Sequence, residues 1–272
     1  MNDLLRIRSL SKHYDGFDLR NVDLTVPAGS VVGFIGSNGA GKTTTIKAIL
    51  GLIYPDAGSI ELLGQNVGEH AGSKAIKDAK QRTGVVFDTC SFPEEMTVAS
   101  VGKLMSYSYD SWSPADFEQR LAQFQLPKSK TVKDLSRGMS MKLSLACALA
   151  HDPDLLILDE PTNHLDLPGR ELVSRYLSRK RGFLLVSHDR AFLDGCVDHI
   201  LSINRADIQV CRGNFSTWME NRERQDAFRA AEKRVKLLPG DRPPAGYGAR
   251  KNPVGGKGGG TKDRQRACGP AG

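Results

Sequence analysis

The segment Gly36 to Thr43 constrains the fold of this 272-residue chain more than any other. It reads GSNGAGKT and matches the phosphate-loop pattern G-x-x-x-x-G-K-[S/T]. An alternating apolar segment, Val31 to Ile35, precedes it and predicts a strand, and a helix is predicted from Gly41 toward Gly51. A strand, a glycine-rich loop and a helix in this order predict a loop that binds phosphate groups.

Each residue type in this loop has a physical reason to be there. Glycines let backbone N–H groups turn inward onto a phosphate, at a helix N-terminus whose dipole favours anions. The Lys42 ammonium is expected to reach the β- and γ-phosphates of ATP, and the Thr43 hydroxyl to take a coordination place on Mg²⁺. Nucleotide contacts are predicted for Gly36, Ser37, Asn38, Gly39, Ala40, Gly41, Lys42, Thr43 and, as a supporting donor, Thr44.

A second element, LLILDE from Leu155 to Glu160, is an apolar run that ends in two carboxylates. Such a run is typical of a buried parallel strand, and ligands bind at the carboxyl ends of these strands. Asp159 is placed to hold the Mg²⁺ shell, and Glu160 to polarise the attacking water in phosphoryl transfer. An acidic pair after a strand is usually only a turn or a helix cap, but the phosphate loop favours the catalytic interpretation.

Further strands are predicted at Leu4 to Ser9, Leu19 to Val26, Ser59 to Leu63, Thr83 to Phe87 and Phe183 to Val186. Helical stretches such as Pro114 to Phe124 and Ser136 to Ala150 separate some of them. Strands that alternate with helices predict an α/β fold with a mainly parallel sheet.

The middle of the chain predicts a helical insertion. Met96 to Lys133 contains helix-like pieces without a convincing buried strand, and with the next helix it gives a helical subdomain at about residues 96–150. Near the end, HILSIN and DIQVCRG predict a short hairpin, and Phe215 to Leu238 predicts an amphipathic helix. The segment 239–272 holds ten glycines and five prolines with few apolar residues, so we expect a disordered basic tail.

The order of these motifs resembles that of the ABC ATPase family over roughly Leu4 to Leu238. LSRGM, Leu135 to Met139, resembles the family's signature, PTNHLD, Pro161 to Asp166, resembles its D-loop, and SHDR carries His188 as the switch histidine. The resemblance implies a P-loop nucleotide-binding domain with a mainly parallel sheet, an antiparallel β subdomain and the inserted helical subdomain. The domain boundaries are then expected at 1–238 and 239–272.

The resemblance also implies roles for residues outside the two strongest motifs. Tyr14 would stack on the adenine through its π-face. Ser136 and Gly138 would contact the γ-phosphate of a second ATPase domain, with the helix that follows them contributing its dipole. Glu160 and His188 would be catalytic, and ATP and Mg²⁺ the cofactors.

Two positions depart from the family's usual pattern. VVFDTC places Asp88 where most members have the glutamine of the Q-loop, and the signature has Arg137 and Met139 where Gly and Gln are more common. Asp88 either ligates Mg²⁺, directly or through water, or only adds negative charge near the γ-phosphate. We favour the second interpretation, because Thr43, Asp159, phosphate oxygens and water already supply ligands.

Two branches of the family share the resemblance, with a junction near Glu160. The first 160 residues resemble a bacterial exporter branch, and the last third resembles the translation-factor branch, whose members act on ribosomes. The leading hypothesis is the ATPase subunit of an ABC exporter, working as a homodimer or heterodimer of ATPase domains on a separate transmembrane subunit. The alternative is a ribosome-associated ATPase; no second phosphate-loop match follows Thr43, which favours transport.

Composition limits the remaining possibilities. The net charge is +7, but residues 239–272 carry seven Lys and Arg against two Asp, so the rest is near neutral and no direct DNA binding is expected. The five cysteines form no C-x-x-C pair, which is typical of a reduced protein without structural zinc. No apolar stretch approaches a membrane span. We expect a cytoplasmic protein, peripheral at the inner face of the cell membrane.

Overall fold

The computed structural model describes residues 3–68, 72–177, 182–204 and 207–236. The chain divides into two compact units, Met1–Trp218 and Met219–Gly272. The first unit contains two sheets and seven helices among the described residues. It begins with strands β1 (Leu5–Tyr14), β2 (Phe17–Val26) and β3 (Val31–Gly36), followed by helix α1 (Lys42–Ile49) and strands β4 (Ala57–Leu62) and β5 (Gln65–Asn66).

The middle of the first unit is mostly helical. Helix α2 (Ser73–Gln81) precedes strand β6 (Thr83–Val86), after which come α3 (Val98–Ser108), α4 (Pro114–Gln123), a 3₁₀ turn (Val132–Asp134) and α5 (Arg137–Leu149). Side chains cap three of these helices, because Thr97, Ser113 and Ser136 each accept a hydrogen bond from the backbone N–H three residues later. Helices α3, α4 and α5 contact one another, as a helical subdomain requires.

The last part alternates strands and helices. Strand β7 (Leu155–Asp159), helix α6 (Leu167–Leu177), strand β8 (Phe183–Val186) and helix α7 (Arg190–Cys196) are followed by a hairpin, β9 (His199–Asn204) and β10 (Asp207–Arg212). Helix α8 (Phe215–Lys236) begins in the first unit. The predicted hairpin and the predicted final helix are therefore both present.

The strands form two sheets. A four-stranded antiparallel sheet has the order β2-β1-β4-β5, and a six-stranded sheet has the order β10-β9-β3-β8-β7-β6. In the larger sheet all neighbours are parallel except β9 and β10. The predicted α/β class, with a mainly parallel sheet, an antiparallel β subdomain and a helical insertion, is confirmed.

The core explains why the parallel strands are apolar throughout. Alternate residues on one face, such as Phe34, Ile157 and Val186, belong to one buried cluster with residues of α1 and the antiparallel sheet. Residues on the other face, such as Leu156 and Leu185, are buried as well. Because both faces of the sheet are covered, the strands contain few polar side chains.

The second unit is described only in its helical part, up to Lys236. Its side chains from Arg222 to Ala230 are exposed, so the amphipathic pattern expected for this helix is not seen there. Two ion pairs with i,i+4 spacing lie along it, Arg222 with Asp226 and Arg224 with Glu220. Leu237, Leu238 and the predicted tail lie outside the described residues, and the boundaries 1–238 and 239–272 remain predictions. None of the described helices is both long and apolar enough to cross a bilayer.

Candidate active site

A cleft of about 410 Å³ opens where the parallel strands end. It lies at the carboxyl ends of β3, β6, β7 and β8, which are neighbours in the sheet and therefore bring distant sequence segments together. The described residues that line it are Phe17, Asn38, Gly39, Ala40, Gly41, Lys42, Thr43, Thr44, Asp88, Asp159, Glu160, Val186 and His188. Most of the residues predicted from the motifs thus meet in one place.

The phosphate loop occupies the turn between β3 and α1. Gly39 and Gly41 have φ angles of 76° and 103°, which glycine adopts without the steric penalty of a side chain. A Cβ on Gly41 would also lie 2.5 Å from the Leu19 side chain. No side chain caps the first turn of α1, so its backbone N–H groups can bind an anion.

Lys42 is held inside this loop. Its Nζ donates hydrogen bonds to the carbonyl oxygens of Gly36, at 2.7 Å, and Ser37, at 3.2 Å. Partial burial lowers the pKa of Lys42, and the nearby carboxylates of Glu160 and Asp159 oppose that shift. An ammonium with only two carbonyl acceptors retains a donor for a phosphate oxygen.

Asp159 is the last residue of β7 and is buried. Burial raises its pKa, the charge of Asp88 raises it further, and Lys42 and His188 oppose the shift. The Thr43 hydroxyl lines the same cleft and is exposed. A carboxylate and a hydroxyl are the hard oxygen ligands that Mg²⁺ prefers, so this part of the cleft fits the ion.

Glu160 follows directly and has a positive φ of 51°. Burial raises its pKa, and the facing His188 opposes the shift. Its Oε2 accepts a hydrogen bond of 3.2 Å from the backbone N–H of His188. Its Oε1 lies 3.2 Å from His188 Nε2 but is buried without a hydrogen bond from any residue that the structure describes. This oxygen is left with capacity to accept a proton.

Five residues predicted to act at the site are outside the set that lines the cleft: Tyr14, Gly36, Ser37, Ser136 and Gly138. Gly36 and Ser37 contribute the carbonyls that hold Lys42. Ser136 caps α5 by accepting a 3.2 Å hydrogen bond from Met139 N, and the backbone at Gly138 lies against His164. Their contact with a second domain's nucleotide stays a prediction.

The motifs did not identify Phe17 and Val186, which also line the cleft. The aromatic ring on the cleft wall is Phe17, and Tyr14 lies beside it with 6.4 Å between the ring centroids. The adenine stacking expected of Tyr14 stays a prediction. The signal that could have found Phe17 is its place three residues after Tyr14, across the tight turn that joins β1 to β2.

Comparison with known proteins identifies the family. The family model described as ABC transporter matches residues 19–163, just over half of the chain. The chain belongs to the ABC transporter family. It is an ATP-binding domain of the family's ATP-hydrolysing type, as the phosphate loop and the carboxylate strand had predicted.

Similar proteins include one plant protein and two bacterial ATP-binding proteins. ABC transporter F family member 2 of Arabidopsis thaliana is 31% identical over 79% of this chain. Nod factor export ATP-binding protein I of Cupriavidus metallidurans is 33% identical over 75% of it, and bacitracin transport ATP-binding protein BcrA of Enterococcus faecalis 32% over 74%. The chain spans 37% of the plant protein's length, 69% of the Cupriavidus protein's and 63% of the Enterococcus protein's.

Solved structures share the fold. An ATP-binding subunit of an ABC transporter is similar with a TM-score of 0.70 and 28% identity, covering 86% of this chain and 99% of that one. A dimeric ATP-binding cassette in a post-hydrolysis state, bound to ADP and phosphate, is similar with a TM-score of 0.65 at 20% identity, covering 76% and 98%. The second likeness concerns the fold alone.

Proposed function

We propose that the chain hydrolyses ATP as the cytoplasmic subunit of an ABC exporter and acts on a separate transmembrane subunit, as a homodimer or heterodimer of ATPase domains. The observation that carries the hydrolytic part is the cleft in which Lys42, Asp159, Glu160 and His188 meet. The exporter part is supported by the bacterial relatives named for Nod factor export and bacitracin transport.

Nucleotide binding rests on the phosphate loop. The backbone of residues 36–41 and the Lys42 ammonium bind the phosphates, and Tyr14 and Phe17 present ring faces to the base. Thr43 and Asp159 would hold Mg²⁺, which when bound neutralises negative charge on the phosphates. Ser136 and Gly138 would complete the site of the second domain.

Turnover rests on Glu160. Its carboxylate takes the proton of a water that attacks the γ-phosphorus, and the bond to the leaving phosphate oxygen breaks as the new bond forms. The buried Oε1, which lacks a donor among the described residues, has the free lone pairs this needs. His188 holds the carboxylate in place through its backbone N–H, and its imidazole Nε2 lies 3.2 Å from Oε1.

Glu160→Gln tests this assignment. An amide can hold the water but cannot accept its proton, so ATP binding should persist while turnover falls by about 10²-fold or more. Phosphate release and an ATP-binding titration measure the two effects, and size exclusion should show an ATP-bound dimer. Glu171→Gln, at an exposed position on α6, is the matched control. Undiminished phosphate release from Glu160→Gln would remove Glu160 from the mechanism.

The helical subdomain offers a surface for the transmembrane subunit. Leu104 and Tyr107 lie one turn apart on α3 and are 41% and 79% exposed. Apolar side chains on neighbouring turns form a patch that a protein partner can cover. Binding of the transmembrane subunit to this patch would place the ATPase at the inner face of the membrane.

A ribosome-associated role is the second candidate. The relative from the F family aligns over more of this chain than the bacterial relatives do, and the last third of the sequence resembles the translation-factor branch. Under this alternative no membrane subunit is needed, and the charged helix α8 is the segment to examine.

Affinity purification of the chain carrying Glu160→Gln, in the presence of ATP, separates the two candidates. The exporter proposal expects a polytopic membrane protein in the eluate and loss of that protein with Tyr107→Glu. Val210→Glu, at a 47% exposed position on β10, is the control and should retain it. Co-sedimentation with ribosomal subunits, without a membrane protein, would decide for the alternative.

A further inference from the structure

The segment Pro161 to Asp166, here called the D-loop, leads from Glu160 to helix α6. One side of it contacts the signature helix α5. A Cβ on Gly138 would lie 2.6 Å from the carbonyl oxygen of His164, so only glycine allows this close approach. Lys142 Nζ lies 3.5 Å from Asp166 Oδ1, and the same oxygen accepts a hydrogen bond from Gly169 N at 3.1 Å. The D-loop is therefore fixed to α5 and to the start of α6.

The other side of the D-loop is fixed by Arg170. Its Nε donates to the carbonyl oxygen of Leu165 at 3.2 Å, and its Nη1 donates to Asp189 Oδ2 at 3.1 Å. Asp189 is held in turn, because its Oδ1 accepts a hydrogen bond from Phe192 N at 3.1 Å and so caps α7. A single guanidinium thus joins the D-loop to the residue after His188.

The two hydrogen bonds of Arg170 affect how Glu160 and His188, the two catalytic candidates, are placed relative to each other. Glu160 follows β7 and His188 follows β8, so their contact depends on how two separate loops are placed. Among the described residues, the hydrogen bond that joins them runs from His188 N to Glu160 Oε2. Arg170 donates hydrogen bonds to both of these loops, since Leu165 lies five residues after Glu160 and Asp189 one residue after His188.

We propose that Arg170 is a positioning residue, which keeps Glu160 and His188 in contact by holding the D-loop to the loop after β8. The proposal rests on the hydrolytic function proposed above. Arg suits this role better than Lys, because its planar guanidinium donates in two fixed directions, here to a carbonyl and to a carboxylate.

The ion pair between Arg170 and Asp189 is too exposed to contribute much to the stability of the fold. The side chains of Arg170 and Asp189 are 43% and 25% exposed, and ion pairs at such positions contribute little to stability. A small displacement of a catalytic group, in contrast, lowers turnover strongly. Substitution of Arg170 should therefore lower turnover and leave stability nearly unchanged.

The test compares Arg170→Met with Arg175→Met, an exposed position on the same helix. Arg170→Met is expected to lower kcat by about tenfold while KM for ATP and the melting temperature stay close to those of the unsubstituted protein. Arg170→Lys should recover part of the loss, since an ammonium can still pair with Asp189. Arg175→Met should behave as the unsubstituted protein does.

A double substitution shows whether Arg170 acts through the Glu160 and His188 pair. In a Glu160→Gln background, adding Arg170→Met should cause little further loss of turnover, because the carboxylate that Arg170 positions is already gone. Losses that multiply, an effect on KM alone, or unchanged kcat in Arg170→Met would each overturn the inference and leave hydrolysis standing. Absence of ATP turnover in the unsubstituted protein would overturn both.

Discussion

The Lys42 ammonium is hydrogen-bonded within its own loop and can still bind a phosphate group. Its ammonium is held by the carbonyls of Gly36 and Ser37, so it does not need a ligand to be satisfied. A nucleotide that enters the cleft exchanges these neutral acceptors for charged phosphate oxygens, which attract the ammonium more strongly at the same distance. The binding energy at this residue therefore comes from the difference between two sets of partners.

Lys42→Ala should abolish tight ATP binding. Removing the positive charge that faces the phosphates is expected to cost about 3 kcal/mol, which corresponds to an affinity loss of roughly a hundredfold or more. Titration with a fluorescent ATP analogue measures it, and Lys47→Ala, on the exposed side of α1, is the control. Equal affinity for the two variants would contradict the assignment of the phosphate loop.

Asp88 is the residue at which the cleft departs most from the family's pattern. It joins Asp159 and Glu160 in lining the cleft, and its charge contributes to the raised pKa of Asp159. We favour a carboxylate that acts on the nucleotide by charge over one that ligates Mg²⁺, because Thr43, Asp159, phosphate oxygens and water already supply ligands for the ion.

Asp88→Asn is therefore expected to tighten ATP binding, because one like charge near the γ-phosphate is removed. At about 1 kcal/mol for a solvent-screened pair, the dissociation constant should fall roughly fivefold. An ATP-binding curve and a Mg²⁺ titration of turnover check it, with Asp78→Asn on the exposed side of α2 as control. A raised Mg²⁺ requirement would instead identify Asp88 as a ligand of the ion.

At the scale of elements, local patterns predicted β3, α1 and β7 within one or two residues. These elements have strong periodicity or a continuous apolar run, and both depend only on neighbouring residues. Strand β1 was predicted to end at Ser9 but continues to Tyr14. Ser9 has a φ of 48° and the pairing register shifts there, so a bulge interrupts the alternation that the prediction used. Pairing with β2 and β4, which the local pattern does not contain, carries the strand onward.

Other elements were missed for a related reason. Helices α2, α6 and α7 have only seven to eleven residues, and helices this short are decided by tertiary packing more than by their own sequence. The carboxylates and the lysine that line the cleft were predicted because their motifs are contiguous in the sequence. Phe17 and the Arg170 contacts were not, because they depend on which loops the strand order places side by side.

Helix α5 ends in a buried aromatic contact that ties the helical subdomain to the loop before α4. The ring of His151 is stacked on Tyr109, with 3.9 Å between centroids and 14° between planes. His151 is 1% exposed, and neither ring nitrogen has a hydrogen-bond partner among the described residues. Burial lowers the pKa of His151 to about 4. The contact therefore requires a neutral imidazole.

This contact should make stability depend on pH. The pKa of His151 is about 4 when folded against 6.5 as its ordinary value, so the unfolded chain binds the proton more readily between these limits. The contribution of neutral His151 to the free energy of unfolding is fully present above about pH 6.5. It is lost as the pH falls toward 4, on the order of 3 kcal/mol in all.

His151→Phe should retain the stack on Tyr109 and remove the proton. We expect unchanged or slightly higher stability at pH 7.5, because no buried polar atom is left unpaired, and a weaker loss on acidification. Urea unfolding at pH 7.5, 6 and 5 measures it. Identical pH dependence in His151→Phe and the unsubstituted protein would show that His151 is not the group responsible.

At the scale of the whole molecule, charge and structure are distributed differently along the chain. The apolar residues that build the two sheets lie before Met219, whereas residues 239–272 supply five of the seven net positive charges. Their composition predicts that they do not join a core. The cleft, the dimer contacts and the partner surface proposed above all use residues of the first unit.

Removing residues 239–272 should therefore leave ATP turnover unchanged within about twofold, and the melting temperature within a few degrees. The net charge would fall to about +2, so weaker retention on a cation exchanger is expected at the same time. Turnover and thermal unfolding of the shortened chain check the prediction. Unfolding or loss of turnover would place the domain boundary beyond Leu238.

Strand β3 has parallel neighbours on both sides, β8 and β9, whereas β6 and β10 are at the edges of their sheet. Opening of a sheet starts where backbone groups have fewest partners, so the edges separate from the sheet more readily than its centre. The strand that ends in the phosphate loop is thus among the last to open. Fluctuations that detach β10 leave the loop in place, and those that detach β6 release Asp88 before they reach Lys42. Nucleotide binding is consequently protected against partial unfolding by the position of one strand.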